Sequence, residues 1–138
     1  MLFRSIEVDS TPPVSGSVID TDGRKLEDID YQPDGTYIYA SWDGFEDEES
    51  GIVRYRWCAG TAKGTCDIIP ETDLGDVTNL VEQQISPALA TGMVVFVTVS
   101  AFNGAGGVTR ESSNGVKVDS TAPVISEVGN TLRLAALV

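Results

Sequence analysis

The chain has 138 residues, of which 21 are acidic and nine are basic, so its formal net charge is −12 at pH 7. This length allows one domain with short tails, and a hydrophobic share of 41% is too high for a disordered chain. The excess of carboxylates argues against binding to nucleic acid or to an anionic membrane, since both need clustered Lys and Arg.

A short segment occurs twice at a domain-sized interval. Val-Asp-Ser-Thr-Pro-Pro-Val at residues 8–14 returns as Val-Asp-Ser-Thr-Ala-Pro-Val at residues 118–124. We interpret each copy as the joint that leads into a module, which predicts a tandem array. Residues 1–11 then end a preceding module, and 12–118 form one complete module. Residues 119–138 hold the second joint and either the start of a next module or the end of the expressed segment.

The first strands of the module are predicted from alternation. Residues 14–19 form an edge-like strand, because the prolines just before it cannot donate to a ladder. In residues 36–42, one face carries Ile38, Ala40 and Trp42, and the other carries Tyr37, Tyr39 and Ser41. In residues 52–57, Val53, Tyr55 and Trp57 are expected inside, while Arg54 and Arg56 point outward and pair with acids such as Glu82.

Two cysteines flank a turn-like stretch with two glycines. A hairpin there would bring Cys58 and Cys66 within disulfide range, which we favour over two buried free thiols. A metal site is least favoured, because two thiolates without histidine leave zinc half-ligated. Residues 65–69 are predicted as a short partner strand across this hairpin.

The second half of the module contains the strongest strand pattern. Residues 76–85 fit a strand or a helix, and we favour the strand. Residues 93–101 are rich in β-branched residues and are expected to put Val95, Val97, Val99 and Ala101 in the core. After a turn at 103–107, residues 108–118 return as a last strand, broken near Asn-Gly. Seven short strands without a long helix predict an all-β, antiparallel seven-stranded β-sandwich.

The pattern of aromatic and apolar positions resembles that of fibronectin type III modules. Trp42 matches a tryptophan at the end of the family's second strand, and Tyr55 with Trp57 matches its third strand. The sixth-strand pattern is similar to the run Leu89, Val95, Val97, Val99, Ala101-x-Asn103. The chain departs from the family at Val95, where a tyrosine normally anchors a corner, and a more general immunoglobulin-like sandwich tolerates that change.

The resemblance implies a module of an extracellular adhesion, matrix or receptor protein. The loop at residues 47–52 is also similar to Asp-x-Glu-Ser-Gly-Ile loops in repeat modules of large invertebrate extracellular proteins. The fold by itself does not transmit a function. Trp42, Tyr55, Trp57 and Leu89 are expected in the core, whereas Tyr37 and Tyr39 are a candidate exposed binding surface.

The residue types present favour binding or structure over catalysis. Histidine is absent, which removes Ser-His-Asp and Cys-His catalysis and most zinc sites, so we expect no enzyme and no required cofactor. The densest cluster of carboxylates is a solvated loop tip or a Ca²⁺ site made by Asp43, Glu46, Asp47, Glu48 and Glu49. A second acidic patch runs from Asp20 to Asp34, with a tight turn expected at Asp22-Gly23.

We therefore expect a non-catalytic spacing or adhesion module of an extracellular or cell-surface protein. Its partners would be neighbouring modules and an extracellular protein or glycan, without nucleic acid and without membrane insertion by this segment. One alternative is a calcium-binding module that uses the acidic loop. Another is a carbohydrate-binding accessory domain of a secreted enzyme.

Overall fold

The computed structural model describes residues 10–22, 27–75 and 78–120, together with the backbone of Ile125–Val128 and Thr131–Leu134. In these ranges the regular structure is entirely β, and no helix is long and apolar enough to cross a membrane. The strands are β1 Ser17–Asp20, β2 Tyr31–Gln32, β3 Tyr37–Asp43, β4 Ile52–Gly60, β5 Ile69–Asp73, β6 Leu80–Gln84, β7 Val94–Asn103, β8 Val108–Ser112, β9 Val116–Val118, β10 Ile125–Val128 and β11 Thr131–Leu134.

The first nine strands form two sheets. The smaller sheet has the order β1-β3-β6 and is antiparallel throughout. The larger sheet has the order β2-β9-β7-β4-β5, and β8 also pairs with β7. Its pairings are antiparallel except for β2 with β9, which run parallel. β10 and β11 pair with each other as an antiparallel hairpin.

One hydrophobic cluster takes side chains from both sheets, so the domain is a β-sandwich. The smaller sheet contributes Val18, Ile38, Ala40, Trp42 and Val81, and the larger sheet contributes Tyr55, Trp57, Ala59, Ile69, Val95, Val97, Val99, Ala101, Val116 and Val118. The rings of Trp42 and Tyr55 meet edge to face with centroids 5.6 Å apart. Apart from Val53, the core positions expected from the sequence are found there, with Leu89 half-buried at the margin.

The expectation that Val53 faces the core is wrong, since its side chain is 51% exposed. β4 contains a β-bulge between Ile52 and Arg54, where its pairing with β7 slips by one residue. An extra residue in a bulge shifts the alternation of side chains, so Val53 turns outward while Tyr55 and Trp57 stay inside.

The two sheets contain nine strands within the described residues, rather than seven. The additional β2 is two residues long. The last predicted strand is divided into β8 and β9 close to the expected break. Residues 65–68 lie in the loop before β5 instead of in a strand, because Asp67 accepts hydrogen bonds from Thr61 and Thr65 and closes a local loop.

Two other strands are shorter than the segments predicted for them. β1 begins at Ser17, and Val14 makes an isolated bridge to Glu46 instead. β6 occupies the second half of the segment 76–85, which resolves that ambiguity in favour of the strand. Residues 1–9, assigned to the end of a preceding module, lie outside the described residues.

Candidate functional site

The acidic loop between β3 and β4 is organised by Asp47. Its Oδ1 accepts hydrogen bonds from the amides of Glu49 and Ser50, both at 2.9 Å. Its Oδ2 accepts a hydrogen bond from Asn103 Nδ2 at 2.8 Å. Asp47 therefore closes the loop on itself and joins it to the end of β7, as Asp side chains commonly do in turns.

The remaining carboxylates of this loop are mostly exposed to solvent. Glu49 accepts a hydrogen bond from Thr11 Oγ1 at 2.6 Å, whereas Asp43, Glu46 and Glu48 are exposed. Across residues 10–22, 27–75 and 78–120, no three Asp, Glu, His or Cys side chains are placed to hold a metal ion together. Calcium binding by the loop stays a prediction.

Asn103, the last residue of β7, links the acidic loop to the residues that precede β1. Its side chain is buried, and its Nδ2 also donates to the carbonyl of Thr11 at 2.9 Å. Its Oδ1 accepts from the amides of Ala105 at 3.0 Å and Gly107 at 2.7 Å. The amide thus makes four hydrogen bonds, which is its full ordinary capacity.

Further hydrogen bonds hold the lead-in segment against the sandwich. Thr109 Oγ1 donates to the carbonyl of Pro13 at 2.6 Å, and the amide of Val14 donates to the carbonyl of Glu46 at 2.6 Å. We call this end the lead-in pole; it consists of residues 11–14, the loop 43–51 and the turn between β7 and β8.

The first residues of the second repeated segment, 118–120, are attached at the other end of β7. The amide of Ser120 donates to Thr91 Oγ1 at 2.9 Å, and the amide of Asp119 donates to the carbonyl of Gln32 at 2.9 Å. Thr91 comes just before β7 begins at Val94. We call this end the lead-out pole; it consists of residues 91, 32 and 118–120.

The two cysteines form the disulfide that the sequence predicted. Cys58 and Cys66 are bonded, with their Cα atoms 5.2 Å apart. Cys58 is fully buried near the end of β4, and the bond closes the turn that separates β4 from β5.

The outer face of the smaller sheet carries Tyr37 and Tyr39. Their rings stack on each other with centroids 5.4 Å apart and planes 11° apart, and both side chains are half-buried. Burial and the charge of Glu82 across the ladder raise the pKa of Tyr39. Because the rings stack on each other, they do not lie side by side as a flat surface on which a sugar could stack. Glycan binding by this face stays a prediction.

The outer face of the larger sheet carries Arg54 and Arg56 beside Phe102. Their guanidinium carbons lie 4.4 Å and 5.5 Å from the centre of its ring, in cation–π contact. Both arginines form ion pairs with Asp73 of β5, since Arg54 Nη1 and Arg56 Nε each lie 3.8 Å from its Oδ2. The expected partner Glu82 is wrong, because it lies on β6 in the other sheet.

Asp20, the last residue of β1, is a buried carboxylate that the sequence did not predict as a core position. It is 0% exposed, and neither carboxylate oxygen has a well-formed hydrogen bond within the described part of the chain. Burial raises the pKa of Asp20 from 3.8 to about 7. Ser113 and the Gly115 amide oppose this rise in pKa, while the charges of Asp28 and Asp30 add to it.

The chain matches no protein-family model and no curated protein sequence.

Proposed function

We propose that this chain is a non-catalytic spacing module of a multi-domain extracellular or cell-surface protein. The observation that supports this most is the placement of its two joints. The lead-in residue Thr11 is bonded to Asn103 at the end of β7, whereas Ser120 is bonded to Thr91 just before its start. β7 has ten residues and spans about 30 Å. Successive modules would therefore follow one another in line.

Stiff attachment at both poles also supports a spacing role. Side chains of the sandwich hold the backbone of both joints, through Asn103 and Thr109 at one pole and Thr91 at the other. Pro12 and Pro13 restrict the backbone of the lead-in further, because the proline ring fixes φ. A module held this way transmits the orientation of its neighbour instead of acting as a flexible link.

For the finer fold assignment, we infer an immunoglobulin-like sandwich of the fibronectin type III kind. Treating β8 and β9 as one interrupted strand and β2 as a short addition leaves seven principal strands. The cross-sheet contact of Trp42 with Tyr55 supports this assignment, since both occupy positions that the resemblance implies. Val95 stands where fibronectin type III modules normally have a tyrosine, which favours the wider immunoglobulin-like class.

The extracellular setting is supported by the disulfide between Cys58 and Cys66, because such bonds persist mainly in oxidising compartments. We infer neighbouring modules as the principal partners. An adhesion role would need an exposed surface to bind a partner, and the outer faces of the two sheets offer such surfaces.

The test is small-angle X-ray scattering from two copies joined through one Val-Asp-Ser-Thr-Ala-Pro-Val joint. We expect the particle's maximum dimension to be about twice that of one copy, because the poles lie at opposite ends of β7. The matched variant replaces the proline of the linking joint by glycine and should broaden the distance distribution. A folded-back particle, close in length to one copy, would contradict the spacing role.

A further inference from the structure

The sequence contains Asn-Gly twice, and the fold places the two pairs in different surroundings. Asn103-Gly104 lies at the end of β7, and Asn114-Gly115 lies in the break between β8 and β9. In such a pair the backbone nitrogen of the glycine can attack the asparagine side chain, because glycine has no side chain that hinders the approach. The two pairs have the same reacting residues, so the structure decides how readily each one reacts.

The reaction closes a ring and then opens it with water. The glycine nitrogen loses its proton to water or hydroxide and bonds to the asparagine Cγ. The bond from Cγ to Nδ2 breaks, and the nitrogen leaves as ammonia with a proton from water. Water then opens the resulting succinimide. Opening at Cγ gives aspartate, and opening at the backbone carbonyl gives isoaspartate, whose backbone is longer by one carbon.

At Asn103 both reacting groups are held in place. The side chain is 2% exposed, and its amide donates to the Thr11 carbonyl and to Asp47 while accepting from two turn amides. The attacking nitrogen is held as well, since the Gly104 amide donates to Ser50 Oγ at 3.0 Å. Ring closure at this pair would have to break several hydrogen bonds together, so it must wait for local opening.

At Asn114 the side chain is exposed and lines an open cleft along β1, where water reaches it. Its Nδ2 donates to Asp28 Oδ2 at 3.1 Å. The Gly115 amide lies between two strands and beside the Asp20 carboxyl, whose oxygens have no well-formed hydrogen bond within the described residues. In the described part of the chain, the reacting groups of this pair are therefore held by fewer contacts than those of Asn103-Gly104.

We propose that Asn114 is a site of spontaneous deamidation, that the fold protects Asn103 from the same reaction, and that the change at Asn114 loosens β9. The folded protein then converts Asn114 to isoaspartate and aspartate as it ages, with water as the co-reactant and ammonia as the product. This site goes beyond the spacing role and does not depend on it.

Both products fit the site less well than asparagine does. A carboxylate at position 114 faces the Asp28 carboxylate where the amide donated a hydrogen bond, and the two like charges repel each other. Isoaspartate also adds a backbone carbon next to Gly115, where a Cβ would lie 2.7 Å from Cε1 of Phe96. β9 begins at Val116, so the disturbance acts on its pairing with β7.

The experiment incubates the full chain, folded and with its disulfide intact, at 37 °C in mildly alkaline buffer. Trypsin then releases Asn114 in the peptide 111–117 and Asn103 in the peptide 64–110. Digestion is short and mildly acidic, so that it adds no deamidation, and fragment masses assign each site. We expect Asn114 to react at least about tenfold faster than Asn103, because the protected site reacts only after local opening. Equal rates at the two sites would overturn the proposal.

The matched control is the same chain with its disulfide reduced and unfolded in guanidinium chloride. Both Asn-Gly pairs should then react at similar rates, because the contacts that distinguish them are gone. A preference for Asn114 as large as in the folded chain would come from the sequence alone and would contradict protection of Asn103 by the fold. The Asp-Gly pairs of the chain do not interfere, since their isomerisation leaves the mass unchanged.

Hydrogen exchange tests the effect on β9. The deamidated chain carries one more negative charge and is isolated by anion exchange. Its Lys117 amide, which donates to the Asp30 carbonyl at 2.9 Å, should exchange faster than in the fresh chain. The Gly51 amide, which donates to the Asp47 carbonyl at 3.0 Å at the lead-in pole, should not change.

Asn114→Gln, aged in parallel, shows what the incubation does without this reaction, because glutamine would have to close a larger ring. We expect this variant to keep its amide at position 114 and to show the same Lys117 exchange before and after incubation. Unchanged Lys117 exchange in the deamidated chain, or an equal increase in aged Asn114→Gln, would overturn the loosening of β9.

Discussion

At the scale of single residues, Asn103 and Asp20 show two opposite ways of burying a polar group. Asn103 makes four hydrogen bonds, and they connect the lead-in, the acidic loop and a turn. Asp20 has none of good geometry within the described residues, and its ionised form is disfavoured. A buried polar group stabilises a fold when its partners are present and destabilises it when they are missing. Asn103 is therefore expected to hold the lead-in pole, and Asp20 to make the fold sensitive to protons.

Replacing Asn103 by alanine tests the first of these roles. Asn103→Ala should lower the free energy of unfolding by about 1–3 kcal/mol, because it removes four hydrogen bonds, to the Thr11 carbonyl, to Asp47 and to two turn amides. Urea unfolding at fixed pH measures the change.

The matched control for that substitution is Asn79→Ala. Asn79 is exposed, and the bond it makes to the Trp42 amide uses its backbone carbonyl, which alanine keeps. We expect a change within about 0.5 kcal/mol for this surface substitution. Equal effects of the two variants would contradict a special role for Asn103.

Neither of these two roles was predicted from the sequence, for different reasons. The bond from Asn103 to Thr11 joins residues 92 positions apart, and no local pattern reports such a contact. Asp20 was within reach of the alternation rule, since Val18 and Asp20 share one face of β1 and both are buried. Because charged side chains are rarely fully buried, the sequence favoured a solvent-exposed Asp20.

At the scale of elements, alternation predicted the strands whose two faces differ clearly. In β3 and β7 every expected core residue is buried, and the disulfide turn is where glycine composition placed it. The bulge at Val53 and the parallel pairing of β2 with β9 were missed. Both depend on how two distant segments are aligned, and a β2 of two residues is too short to have a period.

The break between β8 and β9 depends on Gly115. Its φ of +96° is one that glycine adopts readily, and a Cβ there would lie 2.7 Å from Cε1 of Phe96. Gly115→Ala should therefore destabilise the fold through backbone strain and also through a steric clash. We expect a loss of about 2–4 kcal/mol in the free energy of unfolding, measured by urea titration.

Gly64→Ala separates those two causes. Gly64 also has a positive φ, +79°, but a Cβ there would meet nothing within 4 Å. It should cost about 1 kcal/mol, from backbone strain alone. If Gly115→Ala lowers the free energy of unfolding no more than Gly64→Ala does, Phe96 does not constrain the break between β8 and β9.

At the scale of the whole molecule, an acidic β-sandwich has the described residues of the two repeated segments bonded at opposite ends of β7. Repetition of the joint indicated a tandem array from the sequence, but the sequence could not say where on the fold each joint attaches. The hydrogen bonds of Thr11 and Ser120 supply that placement. A net charge of −12 disfavours association between identical chains, because like charges repel.

The separation of the two poles is the property on which the spacing role depends most. The distance between the poles can be measured by double electron–electron resonance between spin labels at residues 10 and 120. The labels are introduced as noncanonical amino acids so that the Cys58–Cys66 bond stays intact. We predict a narrow distribution at or above the length of β7, about 30 Å. A distance well short of that length, as when both ends leave from one pole, would contradict the proposed function.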